Sequence, residues 1–316
     1  MAYGFGVDLG GTAVKIAVFD GEGSLLSKWE TPTRTERSGA YILPDIAASI
    51  LAYCKDSALV PENVLGVGIG VPGAVTEDGV VNHCVNLGWG RVAVCQELAR
   101  RTGFFTVAGN DATLAALGEC WRGSGKGCRN MLMVTLGTGM GSGIIANGKL
   151  LPGAHGAAGE IGHIVINREE TERCNCGRRG CAEQYCSATG IVRLANRRLF
   201  ETDCPSSLRG RDFSCKDVFD AAREGDVLSG EVLEDFYSCL GNFLADVCCV
   251  TDPEMIVLGG GVSKAGFPLL EGVKRHFEQA CFHACRDVKL ALATLGNDAG
   301  VYGGFKLLLD RKKTTP

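Results

Sequence analysis

Hydrophobic and polar positions divide the first third of the chain into short strands and amphipathic helices. Residues 3–20 are apolar and β-branched on both sides of the sequence DLGGT at 8–12, a pattern that predicts strand, tight turn, strand. The segments that follow have either helical spacing of apolar residues or short apolar runs. They predict a strand near 26–31, a helix over 39–56, a buried strand over 64–71, a helix near 93–101 and a strand near 105–108. Strands alternating with helices are typical of a largely parallel sheet covered on both faces, the α/β class.

A similar pattern starts again after residue 111. It predicts a helix over 112–121, a strand over 131–136, a hairpin over 143–151 turning at Asn147-Gly148, helices over 188–200, 215–223 and 232–250, and a strand over 255–258 that runs into three glycines. A polar insert rich in Arg and Cys interrupts it at 168–181. Because no low-complexity linker separates the halves, we expect two lobes that share a nucleotide cleft.

Length and composition narrow the class of protein. With 316 residues the chain is long enough for two domains of ordinary size. Its net charge of −4 and the lack of a basic run argue against nucleic acid as a partner. The first residues show no leader pattern, and no run of about 18 apolar residues predicts a membrane span. The 16 cysteines then indicate a reducing compartment, so we expect a cytoplasmic protein.

The 45 glycines are clustered, which indicates close approach of the backbone to a ligand. Two clusters, at 8–12 and 135–143, each join two predicted strands by glycines and hydroxyls, as a phosphate cradle requires. Either one alone could be an ordinary hairpin, but two at the starts of two similar halves favour phosphate binding. The string G-x-G-x-x-G at 68–73 precedes a turn instead of a helix, so we reject a dinucleotide fold and expect Gly73 to bring backbone close to a small polar ligand.

Asn110 and Asp111 lie between a predicted strand and a predicted helix. An Asp at this position is a good helix cap, and capping alone would explain it. A carboxylate at the end of a strand could equally be the general base for a hydroxyl nucleophile. The two roles are compatible, and the sequence leaves both open.

His163, Cys174, Cys176 and Cys181 have the spacing of metal ligands, with glycines between them that let the chain fold around a centre. Three thiolates and an imidazole suit tetrahedral Zn²⁺ in a closed, structural site. The alternative, unrelated buried thiols, fits poorly with so polar a segment. Glu183 follows the last ligand by two residues, and Glu160 precedes His163 by three. Both carboxylates could be placed by the zinc loop or could simply be surface groups.

Together these residues resemble the ROK family of sugar kinases, and within it the bacterial glucokinases. The motifs that carry the resemblance run through nearly the whole chain: DLGGT at 8–12, VNLGW at 85–89, NDA at 110–112, the glycines at 137–141, GEIGH at 159–163, C-x-C-G-x-x-G-C-x-E at 174–183, LGGGVS at 258–263 and NDAG at 297–300. The resemblance implies a two-lobed, actin-like ATPase fold of the hexokinase type with a structural zinc loop. It also implies a smaller lobe over 1–110, a larger lobe over 111–299, and a C-terminal helix over 300–316 that returns to the smaller lobe.

The family resemblance implies phosphorylation of the 6-hydroxyl of glucose by ATP. Asp111 would be the base, and His163 would serve zinc and sugar through its two ring nitrogens. The remaining sugar contacts would be Asn110, Glu160 and Glu183. The nucleotide would contact Gly10, Gly11, Thr12, Thr138 and Gly139 at its phosphates and Gly259, Gly260 and Gly261 at adenosine, with Mg²⁺ held by Asp8 through water.

Several alternatives remain within this resemblance. Kinases for N-acetylmannosamine, allose or fructose share the motifs, and Gly109 and Thr113 stand where relatives often carry Glu and Asn, which puts the details of the sugar pocket in doubt. ROK repressors carry a DNA-binding module ahead of the first glycine turn, for which seven residues leave no room. Actin-like and chaperone-like ATPases are an alternative from outside the family, but they lack the zinc loop that this sequence predicts. The resemblance also implies a homodimer.

Overall fold

The computed structural model describes residues 2–314. In chain order its strands and helices are β1 (Tyr3–Leu9), β2 (Ala13–Asp20), β3 (Leu25–Pro32), α1 (Glu36–Gly39), α2 (Ile42–Asp56), β4 (Val64–Val71), β5 (Val80–Val81), β6 (Val92–Ala93), α3 (Val94–Thr102), β7 (Thr106–Asn110), α4 (Asp111–Arg122), β8 (Met131–Leu136), β9 (Met140–Ala146), β10 (Lys149–Leu150), α5 (Glu183–Cys186), α6 (Ala188–Glu201), α7 (Cys215–Arg223), α8 (Val227–Thr251), β11 (Met255–Gly259), α9 (Phe267–Ala280), β12 (Lys289–Leu292) and α10 (Ala299–Thr314). Short 3-10 turns lie at Pro61–Asn63, Val85–Leu87, Ile161–His163, Gly261–Ala265, His283–Cys285 and Gly296–Asp298.

Internal contacts divide these residues into two compact units. The first comprises residues 2–127, 150–158 and 297–314, and the second comprises 128–149 and 159–296. The C-terminal helix therefore belongs to the first unit. Helix α4 belongs to it as well, whereas the division expected from the sequence, after residue 110, would assign α4 to the other lobe.

The first unit is built on a five-stranded sheet of order β3-β2-β1-β4-β7. β1 pairs antiparallel with β2, and β2 pairs antiparallel with β3, because short turns can join only antiparallel neighbours. β4 runs parallel to both β1 and β7. The expectation of a largely parallel sheet was therefore wrong in this respect: the sheet is mixed, within the predicted α/β class.

Helix α10 packs directly on this sheet and on α4 through glycines. A Cβ on Gly68 of β4 would lie 1.8 Å from the carbonyl oxygen of Gly304, and a Cβ on Gly303 would lie 1.7 Å from that of Leu114. Backbone at such distances excludes any side chain, so these glycines allow the close approach. The same approach explains why α4 and α10 belong to one unit.

The second unit repeats the plan with a sheet of order β10-β9-β8-β11-β12. β8 and β9 form an antiparallel hairpin, and β11 runs parallel to β8 and to β12. Thus each sheet opens with a hairpin and adds parallel strands beside its first strand. Helix α8 supplies much of the core, with Phe236, Leu240 and Leu244 fully buried. Within residues 2–314, no helix has both the length and the apolar character that crossing a membrane requires.

Candidate functional site

The turn between β1 and β2 exposes Gly11 and Thr12 to solvent. The Gly10 nitrogen donates to the Ala13 carbonyl at 3.0 Å, which closes the turn. Thr33 braces it from the end of β3, since its hydroxyl donates to the Gly10 carbonyl at 2.7 Å and its nitrogen donates to the Thr12 carbonyl at 3.0 Å. The turn is therefore held by neighbours while its outer edge remains open to a ligand.

Asp8 lies at the end of β1, next to this turn. Burial raises the pKa of its carboxyl, and the Lys15 ammonium, 3.5 Å from Oδ2, acts in the opposite direction. A Cβ on Gly300 in the first turn of α10 would lie 2.6 Å from Asp8 Cγ, so the start of that helix approaches the carboxylate. A carboxylate oxygen in such a largely buried position is a suitable ligand for a hard cation.

Asn110, and not Asp111, caps α4. Asn110 Oδ1 accepts a hydrogen bond from the Thr113 nitrogen at 3.0 Å, and its Nδ2 donates to the Gly73 carbonyl at 3.1 Å. Gly73 has a φ of +92°. Asp111 is the first helical residue, and its Oδ1 accepts from the Ala112 nitrogen at 2.8 Å. The cap and the candidate base are thus two different residues, which corrects the idea that Asp111 performs both roles.

The second glycine turn, between β8 and β9, is supported by α5 and α6. The Gly137 carbonyl accepts from the Ala188 nitrogen at 2.8 Å, and the Thr138 carbonyl accepts from the Thr189 hydroxyl at 2.7 Å. These bonds hold the backbone while Thr138 itself stays exposed. Like the first turn, it presents a hydroxyl and glycines at the open end of a hairpin.

The three glycines after β11 lie beside this second turn. Gly259 pairs with Thr135 of β8, so both segments end at the same edge of the sheet. Gly260 has a φ of +82°, and a Cβ there would lie 2.5 Å from the Leu136 carbonyl oxygen. A Cβ on Gly261 would meet no neighbouring atom within 4 Å, and such open space suits a residue that lines a ligand.

The predicted zinc ligands come together in the second unit. One ligand atom from each of His163, Cys174, Cys176 and Cys181 lies within 4.8 Å of all the others. Cys174 Sγ is 3.8 Å from His163 Nδ1, and the Sγ atoms of Cys176 and Cys181 are 3.6 Å apart. Ligand atoms around one tetrahedral zinc have such separations, since Zn–S bonds are about 2.3 Å and Zn–N bonds about 2.0 Å.

Glu160 and Glu183 flank this cluster. The Nε2 of His163 lies 4.0 Å from Glu160 Oε2, on the opposite side of the imidazole from Cys174. Glu183 Oε1 accepts from Cys174 Sγ at 3.4 Å, and Oε2 accepts from the Met140 nitrogen at 3.0 Å. The structure therefore brings the cluster, both carboxylates and the second glycine turn into one neighbourhood of the second unit.

Some supporting residues were not found from the sequence. Thr33 and Thr189 brace the two glycine turns. Beside the zinc-ligand segment, the half-buried Tyr185 and Arg193 hydrogen-bond the buried Glu170. A hydroxyl just after a predicted strand, as at Thr33, or in the first turn of a predicted helix, as at Thr189, carries no signal of its own. For Glu170, Tyr185 and Arg193, the sequence offers one hint of an ion pair, which is the position of Glu170 inside an Arg-rich insert.

Two sheets of the same plan, each with a braced glycine turn, and a His/Cys₃ cluster beside two carboxylates define a ROK-type sugar kinase fold. A model of the ROK family matches residues 4–311, and the chain belongs to that family. It is 42% identical over 98% of its length, and 96% of the relative's, to a protein of Halalkalibacterium halodurans named glucokinase. A Thermotoga maritima protein of the same name is 33% identical, with 97% of each chain covered. A ROK family glucokinase from Streptomyces griseus, crystallised with glucose and AMPPNP, has a TM-score of 0.80 at 32% identity, covering 97% of this chain and 99% of its own.

Proposed function

We propose that this chain transfers the γ-phosphoryl group of ATP to the 6-hydroxyl of glucose. The observation that carries the proposal is the near-full-length similarity to proteins named glucokinase, the first of them 42% identical. The geometry around Asp111 and around the His/Cys₃ cluster supports it. Phosphoryl transfer of this kind depends on positioning and charge stabilisation more than on covalent chemistry.

Asp111 is the general base. Because Asn110 supplies the helix cap, Asp111 is not needed for capping; its Oδ1 accepts from the adjacent Ala112 nitrogen at 2.8 Å, and carboxylate oxygens can accept more than one hydrogen bond, including one from a sugar hydroxyl. It accepts the proton of the 6-hydroxyl as that oxygen attacks the γ-phosphorus, while the bond from the γ-phosphorus to the bridging oxygen breaks and ADP leaves. Asn110, held by Gly73, contributes to the orientation of the sugar.

The glycine turns bind the phosphates. Gly10, Gly11 and Thr12 act in the first unit, and Thr138 and Gly139 act in the second, through backbone N–H groups and hydroxyls. Asp8 would hold the Mg²⁺ that accompanies ATP, and a bound Mg²⁺ neutralises charge on the β- and γ-phosphates. Gly259, Gly260 and Gly261 line the adenosine part.

Glu160, His163 and Glu183 hydrogen-bond the hydroxyls of the sugar ring. In this assignment His163 directs Nδ1 to the cysteine sulphurs, which leaves Nε2 for Glu160 and the sugar. The donor set of His163, Cys174, Cys176 and Cys181 fits zinc, and all four would hold the ion. With four protein ligands, the bound ion would cross-link the loop and would not itself meet substrate.

The test is a direct assay of the purified chain with MgATP and glucose. We expect glucose-dependent formation of ADP and, by ³¹P NMR, a product with the phosphate on the 6-oxygen. A chain that hydrolyses ATP equally with and without sugar would contradict the proposal. Light scattering of the same preparation checks the homodimer that the family resemblance implies.

A further inference from the structure

We propose that Glu170, Tyr185 and Arg193 are positioning residues of the sugar site. In this proposal they clamp the zinc-ligand loop, residues 164–181, onto α5 and α6, and so keep Glu183 in place. The effect expected on glucose binding rests on the proposed function. The effects expected on hydrogen exchange and zinc release rest on the structure alone. We call the three residues the clamp.

Glu170 is the centre of the clamp. Its side chain is only 3% exposed, although it lies in a polar, exposed loop. Oε2 accepts hydrogen bonds from the Tyr185 hydroxyl and, at 2.9 Å, from Arg193 Nη1, while Oε1 accepts from the Glu172 nitrogen of its own loop at 3.1 Å. A buried carboxylate is stable only when it is paired and hydrogen-bonded in this way.

The partners of Glu170 are connected in turn to the loop and to α5. The Tyr185 hydroxyl accepts from Asn167 Nδ2 at 2.8 Å. Arg193 Nε donates to the Gln184 carbonyl of α5 at 3.2 Å, and its guanidinium lies over the Tyr185 ring, 4.9 Å from the centroid. The clamp therefore joins three segments of chain: the loop before Cys174, helix α5 and helix α6.

Glu183 needs such support because it begins a helix of only four residues. A helix that short has no stability of its own. The zinc-ligand loop contacts it on one side, where Cys174 Sγ lies 3.4 Å from Glu183 Oε1. The clamp holds the same helix through Tyr185 and the Gln184 carbonyl. Loss of the clamp frees both the loop that carries the cysteines and the helix that carries Glu183.

A merely structural role would lower stability without affecting the sugar in particular. If the clamp positions the sugar site, its removal should weaken glucose binding, leave nucleotide binding unchanged and speed the loss of metal. Residues that orient metal ligands typically change metal affinity or activity by about 10–100-fold when they are removed. This pattern separates the two interpretations.

The variants are Glu170→Gln, Tyr185→Phe and Arg193→Met in the full chain, with Arg197→Met as the matched control. Arg197 lies one turn beyond Arg193 on the same helix and donates to Glu201 at 2.8 Å instead of to Glu170, and both side chains are at least half exposed, so the control removes a nearby charge but no hydrogen bond of the clamp. The measurements are hydrogen exchange of amides 164–186, release of zinc to a coloured chelator, and kcat and KM for glucose and for MgATP.

For Glu170→Gln and Arg193→Met we expect faster exchange over 164–186, zinc release at least ~10-fold faster and a glucose KM raised about 10-fold. KM for MgATP and kcat should stay within about twofold, and Tyr185→Phe should change all readouts in the same direction by less. Tyr185→Phe removes a single hydroxyl, so it decides the question if Glu170→Gln does not fold. Exchange, zinc release and glucose KM all equal to those of Arg197→Met would overturn the clamp. If the parent chain does not phosphorylate glucose, the proposed function fails, while exchange and zinc release still decide on the clamp.

Discussion

The Oε2 atom of Glu183 accepts a hydrogen bond from the backbone nitrogen of Met140 at 3.0 Å. Met140 directly follows the second glycine turn, and Glu183 lies two residues after Cys181, the last residue of the zinc-ligand loop. One carboxylate therefore connects a segment proposed to bind phosphate with a segment proposed to bind sugar. Gly139 completes the arrangement, because a Cβ at that position would lie 2.2 Å from the same Oε2.

Replacing Gly139 by Ala should displace Glu183. The added methyl group and the carboxylate cannot both occupy that space, so the end of the Glu183 side chain must move and lose its bond to the Met140 nitrogen; a hydrogen bond to a charged group typically contributes about 1.5–3 kcal/mol. We expect kcat/KM for glucose to fall at least ~10-fold, since about 1.4 kcal/mol corresponds to a factor of ten. Gly230→Ala is the control, because that glycine lies in α8 and a Cβ there would meet no neighbouring atom within 4 Å outside its own turn of helix. Equal kinetics for the two variants would argue against the role of this contact.

Replacing Cys176 by Ser should remove zinc. Metal analysis of the parent chain should find about one zinc per chain, as expected from the ~10–16 kcal/mol apparent binding free energy of structural zinc sites. The variant should lose the metal, and its KM for glucose should rise more than its KM for ATP, because the loop supports Glu183. Cys204→Ser is a matched thiol control outside the cluster. Zinc-free protein with unchanged glucose affinity would contradict this prediction.

Much of the fold could be predicted from local patterns. The strands at Tyr3–Leu9, Val64–Val71 and Met131–Leu136 follow directly from short apolar runs bounded by turns. Strand β12 was missed because it is only four residues long, whereas helix α9 was missed although its buried residues Leu269, Val273 and Phe277 recur at helical spacing. Helix α8 starts at Val227, five residues before the predicted start, because Asp226 caps it by accepting from the Ser229 nitrogen.

The metal cluster could be predicted because cysteine spacing reports ligand geometry directly. Which of Asn110 and Asp111 caps α4 could not be predicted, because either side chain can cap a helix and only the structure shows which one does. The clamp around Glu170 could not be predicted either. Its three members are up to 23 residues apart and meet only after the loop has folded back on α5 and α6.

Replacing Asp111 by Asn should abolish most of the activity without unfolding the protein. Asn110 keeps the cap of α4, so the substitution removes the proton acceptor while the cap stays in place. General-base catalysis contributes about 10²–10⁴-fold, and kcat should fall by at least the lower figure while glucose still binds. Asp45→Asn, on α2, provides an Asp-to-Asn control outside the proposed machinery. Activity near that of the parent chain would show that Asp111 is not the base.

The contribution of Glu170 to stability should depend on pH. Burial raises the pKa of this carboxyl, but hydrogen bonds from Tyr185, the Glu172 nitrogen and Arg193 outweigh it and hold the pKa at about 2, below the usual 4.5. A pKa lowered by folding stabilises the protein above pH 4.5, and this stabilisation is lost as the pH falls towards 2.

At pH 7, Glu170→Gln should therefore lower the Tm of the second unit. Breaking a buried pair costs about 3–5 kcal/mol, and 1 kcal/mol shifts the Tm of a unit this size by about 2–4 °C. The difference in Tm from the parent chain should shrink between pH 4.5 and 2. Calorimetry across that range checks it, with the exposed pair member Glu201→Gln as control. A difference that does not change with pH would mean that Glu170 does not stabilise the fold as a carboxylate.

The preferred acceptor should be glucose, with ATP as the donor. The residues proposed to contact the sugar, Glu160, His163, Glu183 and Asn110, carry carboxylate, imidazole and amide groups, which can donate to and accept from several ring hydroxyls. A site built in this way rejects sugars that lack a matched hydroxyl, because its own polar groups are then left unpaired at about 1–3 kcal/mol each.

The measurement is kcat/KM for glucose, mannose, 2-deoxyglucose, N-acetylmannosamine and fructose at one MgATP concentration. Loss of one matched hydroxyl should cost about tenfold or more, because ~1.4 kcal/mol is a factor of ten. An N-acetyl group at C2 requires space beyond that of a hydroxyl, so N-acetylmannosamine should be a poor substrate. If N-acetylmannosamine or fructose were tenfold better than glucose, the specificity would be wrong. The assignment of Asp111 as base would not depend on that result, because every acceptor must lose its proton in the same step.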